Sequence, residues 1–268
     1  MFRRFLLIFV LVALAGCASR SAVLGRASEA GLAEATFAGT YFDLREYVRG
    51  NGPVVHIYIE GDGKAWRNRR TPSSDPTPDD PVALELALTD LHPAVAYLAR
   101  PCQYVAGEQR RNCCFPLWTS ARFAEPVVAD MNLAIDDIKA RTHAGRVALI
   151  GYSGGGAIAL LVAARRNDVD IVVTVAGNLD HAFWTRLHGV SPLRDSLNPR
   201  DYAPALQSIR QVHIVSEDDA IVPGSVVQSY LGAMPDKGDV RVIAIKGVSH
   251  GGDWAAVVPG LLKQEGVW

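Results

Sequence analysis

A serine set among glycines follows a short apolar run in this chain. Residues 147–150 read Val-Ala-Leu-Ile, residues 151–155 read Gly-Tyr-Ser-Gly-Gly, and small helix-forming residues come next. This context fits a tight strand-to-helix turn that exposes a serine hydroxyl at a helix N-terminus, where the helix dipole favours developing negative charge. Gly151 and Gly155 face each other across such a turn, so a Cβ on either would clash. The sequence therefore predicts Ser153 as a nucleophile.

A histidine suited to be the general base lies near the end of the chain. His250 has glycines close by and follows the apolar run 240–245. Catalytic groups of open α/β sheets lie on loops at the carboxyl ends of strands, so we expect His250 to take the Ser153 proton and return it to the leaving group. Five other histidines fit the role of the base less well, because they fall in predicted strands, at a helix end or in a helical insertion. They are His56, His213, His143, His181 and His188.

An acidic loop between these two motifs supplies the third group. Asp219 follows the apolar run 211–216 and is expected to hold the His250 tautomer and stabilise the imidazolium. Its neighbour Asp218 is one alternative acid. Asp180, which follows the strand-like run 171–176, is another.

A glycine-containing loop after an early strand could complete an oxyanion hole. The apolar run 53–59 leads into residues 60–63, Glu-Gly-Asp-Gly. One backbone donor is the N–H of Gly154, and the second should come from Asp62 or Gly63. We expect no role for the Asp62 carboxylate, because it would repel an oxyanion. A plain β-turn is the alternative interpretation of this loop.

These motifs, in this order, resemble the α/β-hydrolase superfamily. Asp219 precedes Ala-Ile-Val-Pro, which is similar to the superfamily's acid loop, and residues 249–251, Ser-His-Gly, are similar to its histidine loop. The resemblance extends from about residue 36 to the end of the chain. It departs at residues 60–61, Glu-Gly, where many members have His-Gly. The resemblance implies an α/β-hydrolase fold and a serine hydrolase.

The composition and the alternation of patterns support the same fold class. With 268 residues, 49% of them hydrophobic, the chain can build one large core or two small ones. Strand-like runs alternate with helical patterns, which predicts a mostly parallel central sheet with helices on both faces. We expect strands near 36–48, 54–60, 94–100, 146–152, 171–176, 211–216 and 240–245. We expect helices near 81–90, 120–141, 155–166, 225–233 and 253–264.

A small insertion is predicted near residues 178–207. It contains several prolines together with Phe183 and Trp184. We expect the insertion to lie over the site, with its aromatic side chains either lining a substrate pocket or packing the insertion onto the sheet.

The N-terminus has the features of an export signal. Arg3 and Arg4 precede an apolar stretch, 5–15, that is too short to span a bilayer comfortably. Residues 14–17, Leu-Ala-Gly-Cys, resemble the bacterial lipobox, in which cleavage leaves the cysteine as the first residue, joined to lipid. The alternative is an ordinary signal sequence followed by an unmodified cysteine. The resemblance implies a protein of the bacterial cell envelope, attached to a membrane through Cys17.

The predicted organisation has three parts. Residues 1–16 are the signal peptide, 17–35 the lipidated cysteine and a flexible tether, and 36–268 a single hydrolase domain. Removal of residues 1–16 deletes two arginines, so the formal net charge moves from −1 to −3. This balance gives no support to nucleic-acid binding.

Three further cysteines lie in the predicted domain. An exported compartment permits disulfides, so Cys102 is expected to pair with Cys113 or with Cys114. The chain has no Cys/His pair at zinc spacing, no phosphate-binding loop and no dinucleotide fingerprint, so we expect no metal and no cofactor.

The sequence is best interpreted as a lipid-anchored serine esterase. Its substrate would be a small-molecule or lipid-like acyl ester. Two alternatives stay open: an acyltransferase that uses the same three residues, and a non-catalytic binding lipoprotein that retains the fold.

Overall fold

An eight-stranded sheet forms the centre of the structure, a computed structural model that describes residues 22–68 and 70–268. The strand order is β1-β2-β6-β3-β7-β8-β9-β10, and β4 and β5 form a separate hairpin. Strands β1 and β2 are antiparallel to their neighbours, and all other pairs in the large sheet are parallel. The strands are β1 Ala33–Ala38, β2 Asp43–Gly50, β3 Val54–Ile59, β4 Trp66–Asn68, β5 Thr71–Pro72, β6 Ala94–Leu98, β7 Arg146–Tyr152, β8 Val169–Val175, β9 Arg210–Ser216 and β10 Val240–Ile245.

Helices cover both faces of this sheet. Helices α1, α2 and α8 contribute to the hydrophobic core on one face, and α3, α4 and α7 contribute to the core on the other. The helices are α1 22–29, α2 Val82–Thr89, α3 Glu125–Thr142, α4 Gly154–Ala163, α5 His181–Leu187, α6 Pro199–Tyr202, α7 Ser225–Leu231 and α8 Trp254–Gln264. The architecture confirms the predicted fold class.

The central strands are apolar because both of their faces are covered. All five residues of β6 are buried, as are all residues of β7 except Arg146. Burial on two faces explains the continuous hydrophobic runs, in place of the alternating pattern of a sheet with one solvated face. Because the parallel strands end at one edge, the loops after β3, β6, β7, β8, β9 and β10 meet there, and we call this edge the catalytic edge.

The predicted strand near 36–48 is wrong, because two antiparallel strands occupy this segment. Residues 39–42 turn between β1 and β2, and the Gly39 N–H donates to the Phe42 carbonyl oxygen over 2.9 Å. The buried carboxylate of Asp130 on α3 accepts hydrogen bonds from the N–H groups of residues 40, 41 and 42. The turn is thus stabilised by a side chain that lies 88 to 90 positions away in sequence.

The fold also begins earlier than the predicted boundary at residue 36. Residues 22–29 are helical, and Val23, Ala27 and Leu32 are buried in the core beside α2 and α8. The prediction of a flexible tether is therefore wrong for the part that follows residue 21. Val23 and Ala27 lie four positions apart and form a short apolar stripe within a segment rich in small residues.

Residues 1–21 lie outside the described residues, and with them the predicted signal peptide and Cys17. In the described part of the chain, no helix combines the length and the apolar character that a membrane crossing requires. Two other predicted elements differ in detail. The helix predicted from residue 120 begins at Glu125, with Pro126 in its first turn. The insertion near 178–207 contains α5, α6 and a 3₁₀ turn at Ala203–Leu206.

Candidate active site

The turn between β7 and α4 holds Ser153 in a strained conformation. Its φ is +51°, a value that side-chain-bearing residues rarely adopt. A Cβ on Gly151 would lie 2.3 Å from the Gly155 carbonyl oxygen, and a Cβ on Gly155 would lie 2.2 Å from the Ile59 carbonyl oxygen. The crowding predicted across this turn is therefore present. The fold places Ser153 at the catalytic edge, where it is only 9% exposed and lines a cavity, and supports its strain with a packed helix and strand.

The structure brings the three predicted residues into one hydrogen-bonded chain. Ser153 Oγ lies 3.0 Å from His250 Nε2, and His250 Nδ1 lies 2.7 Å from Asp219 Oδ2. The Asp219 side chain is fully buried, whereas the His250 side chain is 17% exposed. A base that touches a serine hydroxyl, and is itself oriented by a buried carboxylate, has the arrangement of an activated nucleophile.

The loop after β9 explains why Asp219 rather than Asp218 reaches the histidine. The second carboxylate oxygen of Asp219 accepts hydrogen bonds from the N–H groups of Ile221 and Val222, at 2.9 and 2.8 Å. Asp218 turns to the N–H of Gly247, 2.6 Å from its Oδ2.

Asp180, the other alternative acid, is used to begin α5. Its carboxylate accepts from the N–H of Phe183 and from the side chains of Asn198 and Ser229. These interactions hold the pKa of Asp180 below its usual value although burial raises it.

Two aromatic side chains hold the backbone of His250. The hydroxyl of Tyr152 and the indole N–H of Trp254 both donate to the His250 carbonyl oxygen, at 2.7 and 2.8 Å. Tyr152 directly precedes Ser153, so its hydroxyl connects the serine turn to the loop that carries His250. Nothing in the spacing of these residues pointed to this contact, because it joins positions 98 apart.

The loop after β3 offers backbone donors beside Ser153. The N–H of Gly61 donates to its neighbour Glu60, 2.8 Å from Oε1, so it does not point to an oxyanion. The remaining candidates are the N–H groups of Asp62 and Gly63, together with that of Gly154. Gly63 has a φ of +63° and packs against the Pro76 carbonyl oxygen, so this position requires glycine.

The Asp62 carboxylate, for which we expect no role toward the oxyanion, forms ion pairs with two arginines. The carboxylate lies against Gly154, where a Cβ would be 2.1 Å from Asp62 Oδ1. Arg122 Nη1 lies 2.6 Å from Asp62 Oδ2, and Arg100 Nη1 lies 3.4 Å from Oδ1. Burial raises the pKa of Asp62, but the two arginines outweigh it and hold the pKa below its usual value. Two cations therefore compensate a charge that would otherwise oppose an oxyanion.

We predict that Arg122→Met lowers kcat roughly 10- to 100-fold, because the Asp62 carboxylate beside Gly154 then loses the nearer of its two cations and retains only Arg100 at 3.4 Å. The Asp62→Asn/Arg122→Met variant should recover a large part of the loss, since asparagine keeps the backbone N–H and removes the charge. Steady-state kinetics on one ester, with circular dichroism as a check of folding, measures both. A folded double variant as slow as the single variant would contradict this role of Arg122.

The loop after β6 contacts the loop after β3 that carries Gly61. Gln103 Nε2 donates to the Gly61 carbonyl oxygen over 3.0 Å. Its neighbour Cys102 forms a disulfide with Cys113, so of the two predicted pairings the structure contains this one. Cys114 is a free, exposed thiol.

Glu60 is buried beneath this loop, and its Oε2 has no hydrogen-bond partner. Burial raises its pKa to about 7, although the N–H groups of Gly61, Ala83 and Leu84 lower it. Between about pH 4.5 and about pH 7, Glu60 is ionised in the unfolded chain but still protonated in the folded protein. The free energy of unfolding therefore falls as the pH rises through this range.

We predict that Glu60→Gln reduces this decline by up to about 3 kcal/mol. Urea unfolding at pH 5 and pH 8 measures the difference between the parent and the variant. The variant should still lose some stability as the pH rises, because Glu46 is also buried and its pKa is raised to about 8 by burial and by Asp137. An unchanged pH dependence in the variant would contradict the raised pKa of Glu60.

Two adjoining cavities lie at the catalytic edge. The first, of about 490 Å³, is lined by Ser153 and His250 among others. The second, of about 720 Å³, extends over the insertion. Trp184 lines both, whereas Phe183 lines neither. Trp184 is fixed by its indole N–H, which donates to the Ile221 carbonyl oxygen over 2.7 Å.

Three of the other histidines lie in structural positions away from this site. His56 contacts the Asp90 carboxylate at 2.7 Å, and His213 contacts the Thr174 hydroxyl at 2.8 Å, both within the sheet. His143 ends α3 in the left-handed conformation. Among residues 22–68 and 70–268, no group of three or more His, Cys, Asp or Glu is placed to hold a metal ion.

The sheet order, the strained serine turn and the neighbouring Ser-His-Asp chain define an α/β-hydrolase. Solved structures share this fold. An α/β serine hydrolase homologue from Coxiella burnetii superposes with a TM-score of 0.59 at 15% identity, covering 87% of this chain and 96% of that one. An esterase from Pyrococcus furiosus gives 0.59 at 14%, covering 88% and 94%. Est1E from Butyrivibrio proteoclasticus, solved with ferulic acid, gives 0.62 at 13%, covering 87% and 98%.

The family follows from the sequence itself. The model of the dienelactone hydrolase family matches residues 99–253, and the chain belongs to that family. A comparison with curated protein sequences finds no match.

Proposed function

We propose that this hydrolase is a serine esterase in which Ser153, His250 and Asp219 form the catalytic triad. The observation that carries the proposal is the continuous contact from Ser153 Oγ through the imidazole to a buried carboxylate, at 3.0 and 2.7 Å, beside a cavity. The esterase among the structures of similar fold agrees with this assignment.

The proposed reaction has two steps. Ser153 Oγ attacks the ester carbonyl carbon while His250 Nε2 accepts the hydroxyl proton, and the oxyanion receives the N–H groups of Gly154 and of Asp62 or Gly63. The tetrahedral intermediate collapses, the C–O bond to the alcohol breaks, and His250 returns the proton to that alcohol. Water then attacks the acyl-enzyme with His250 again as base, which releases the acid and restores Ser153.

The cavities favour an ester with a bulky apolar part. Together they can hold more than a short acyl chain, and two tryptophans, Trp66 and Trp184, line both of them. Trp184 is oriented by a hydrogen bond, so its ring offers a fixed apolar wall. The ferulic acid in Est1E is an aromatic acid bound to a protein of this fold, which supports the inclusion of aromatic acyl esters in a substrate screen.

The proposal includes export and attachment to a membrane through acylated Cys17. Cells that produce the full chain should hydrolyse p-nitrophenyl esters of short and medium acyl chains in their membrane fraction, and Ser153→Ala cells provide the background. Cys17→Ser should move the activity into the soluble fraction, because it removes the acyl chains that hold the protein. Absence of hydrolysis above background would reject the esterase, and activity that stays with membranes in Cys17→Ser would reject the anchor.

A further inference from the structure

Exposed apolar side chains are concentrated at the catalytic edge. In the described part of the chain, nine large hydrophobic side chains are more than a third exposed. Six of them belong to the connecting segments at the catalytic edge, including the β4–β5 hairpin and the end of α5, and we call these six the apolar rim: Tyr41, Trp66, Phe115, Leu187, Val190 and Ile221. The other three lie elsewhere, with Leu91 before β6 at the opposite edge, Leu133 on α3 and Val242 on the edge strand β10.

Contacts between the loops support this placement. Strand β1 runs in the same direction as β6, because β2 is antiparallel to both, so the turn with Tyr41 follows β1 at the catalytic edge. Asn112, from the loop that contains Phe115, donates to the Tyr41 carbonyl oxygen. The side chain of His188, next to Leu187, contacts the Ile221 carbonyl oxygen at 2.9 Å.

Three of the six rim residues line the cavities of the site. Trp66 and Ile221 line both cavities, and Val190 lines the second. Such an apolar surface around a mouth normally marks an interaction site. Exposed basic side chains accompany it in sequence: Arg67 and Arg70 beside Trp66, and Arg186 and Arg194 on either side of Leu187 and Val190.

The described chain begins on the same side of the molecule. Helix α1 and strand β1 are joined by a tight turn at Gly31, so α1 runs away from the catalytic edge before β1 returns to it. Arg26 on α1 pairs with Glu85 on α2. Helix α2 begins at Val82, which lines the first cavity, the one that contains Ser153. The first described residues therefore lie toward the catalytic edge.

Cys17 and residue 22 are five positions apart in sequence, a separation that reaches at most about 18 Å when fully extended. This distance is short compared with a domain of this size, so the anchor restricts which side can meet the bilayer. The catalytic edge can reach the lipid surface, whereas the opposite edge, with Leu91, cannot without turning the domain over.

We infer that the catalytic edge faces the membrane and that the apolar rim inserts into the interfacial layer of its lipids. The inference rests on the lipid anchor proposed above. Tryptophan and aliphatic side chains are stabilised at this depth, and arginines beside them attract anionic headgroups. The substrate class follows from the orientation: acyl esters that partition into the bilayer enter the cavities directly from the lipid phase.

The test uses the full chain with its anchor, reconstituted in vesicles of phosphatidylcholine and phosphatidylglycerol. Tyr41→Glu/Leu187→Glu places charges on two rim residues that line neither cavity. Leu91→Glu/Leu133→Glu is the matched control, with the same substitutions at exposed leucines outside the rim. Each is assayed on 4-methylumbelliferyl palmitate dissolved in the vesicles and on p-nitrophenyl acetate in water.

We expect the rim variant to lose at least about fivefold in the rate on the vesicle ester and to keep the acetate rate, while the control keeps both. Equal rates in the two variants on the vesicle ester would overturn the orientation. Quenching of tryptophan fluorescence by brominated lipid gives a readout without turnover, and Trp66→Phe should reduce the quenching. Unchanged quenching in that variant would also overturn the inference.

The two proposals fail in different ways. A parent chain that hydrolyses neither ester contradicts the esterase, and the quenching result then decides the orientation alone. An intact mass without diacylglycerol on Cys17 removes the tether and overturns the orientation, whatever the rate on p-nitrophenyl acetate.

Discussion

Ser153→Ala and His250→Ala should each abolish covalent labelling by a fluorophosphonate probe and lower ester hydrolysis by at least about 10³-fold. The probe phosphonylates only a serine whose proton is accepted by a base as the oxygen attacks. His250 Nε2 is 3.0 Å from Ser153 Oγ, so the loss of either partner removes the activation. In-gel fluorescence of the labelled full chain, together with the initial rate on p-nitrophenyl acetate, measures both effects.

His181→Ala is a suitable control for this experiment. His181 is buried, and the hydrogen bond of Ser153 Oγ to an imidazole is made with His250, so replacement of His181 should leave labelling intact in protein that folds. A folded parent chain that takes no label would favour the non-catalytic binding lipoprotein. Labelling that persists in His250→Ala would mean that another base activates the serine.

Asp219→Asn should lower kcat by about 10³- to 10⁴-fold, whereas Asp218→Asn should lower it less than about threefold. Asparagine retains the oxygen that accepts from Ile221 and Val222, so the loop can persist. Its amide group, however, favours the wrong tautomer of His250 and cannot stabilise the imidazolium. Asp218 contacts Gly247 instead, and asparagine can still accept that hydrogen bond.

Comparing the two variants shows which aspartate acts on His250, because the two residues are adjacent in sequence but contact different partners. Burst kinetics with an activated ester show whether acylation itself is slowed. A severe loss in Asp218→Asn with a mild one in Asp219→Asn would reassign the acid, and severe losses in both would indicate damage to the whole loop. Asp180→Asn, at the start of α5, should leave kcat within about threefold of the parent.

The core of the site was predictable because it depends on local rules. A strained turn requires glycine at positions 151 and 155, and that requirement is visible in the sequence. Parallel strands place their following loops at one edge, so Ser153, Asp219 and His250 could be expected to meet. The choice of Asp219 over Asp218 rested on its distance from Val-Pro, and the structure supplies the reason in two backbone hydrogen bonds.

The parts that sequence reasoning missed depend on contacts between distant positions. Arg122 was included in a predicted helix, and its pairing with Asp62 spans 60 positions. Neither composition nor periodicity carries a signal for such a pair. The same holds for Asp130, which stabilises the turn between β1 and β2 from another element. The only available signal at Asp62 was that its carboxylate, if near an oxyanion, would need a compensating cation.

The contact between Gly154 and Asp62 also restricts how this family can vary. Because Oδ1 of Asp62 occupies the space of a Cβ at position 154, alanine at that position is accommodated only if the Asp62 side chain moves. A relative with a side chain after its nucleophile should therefore have a smaller residue in place of Asp62, and then no need for a cation in place of Arg122. We therefore expect positions 62, 122 and 154 to change together in evolution, and an alignment of homologues should show covariation among these three positions.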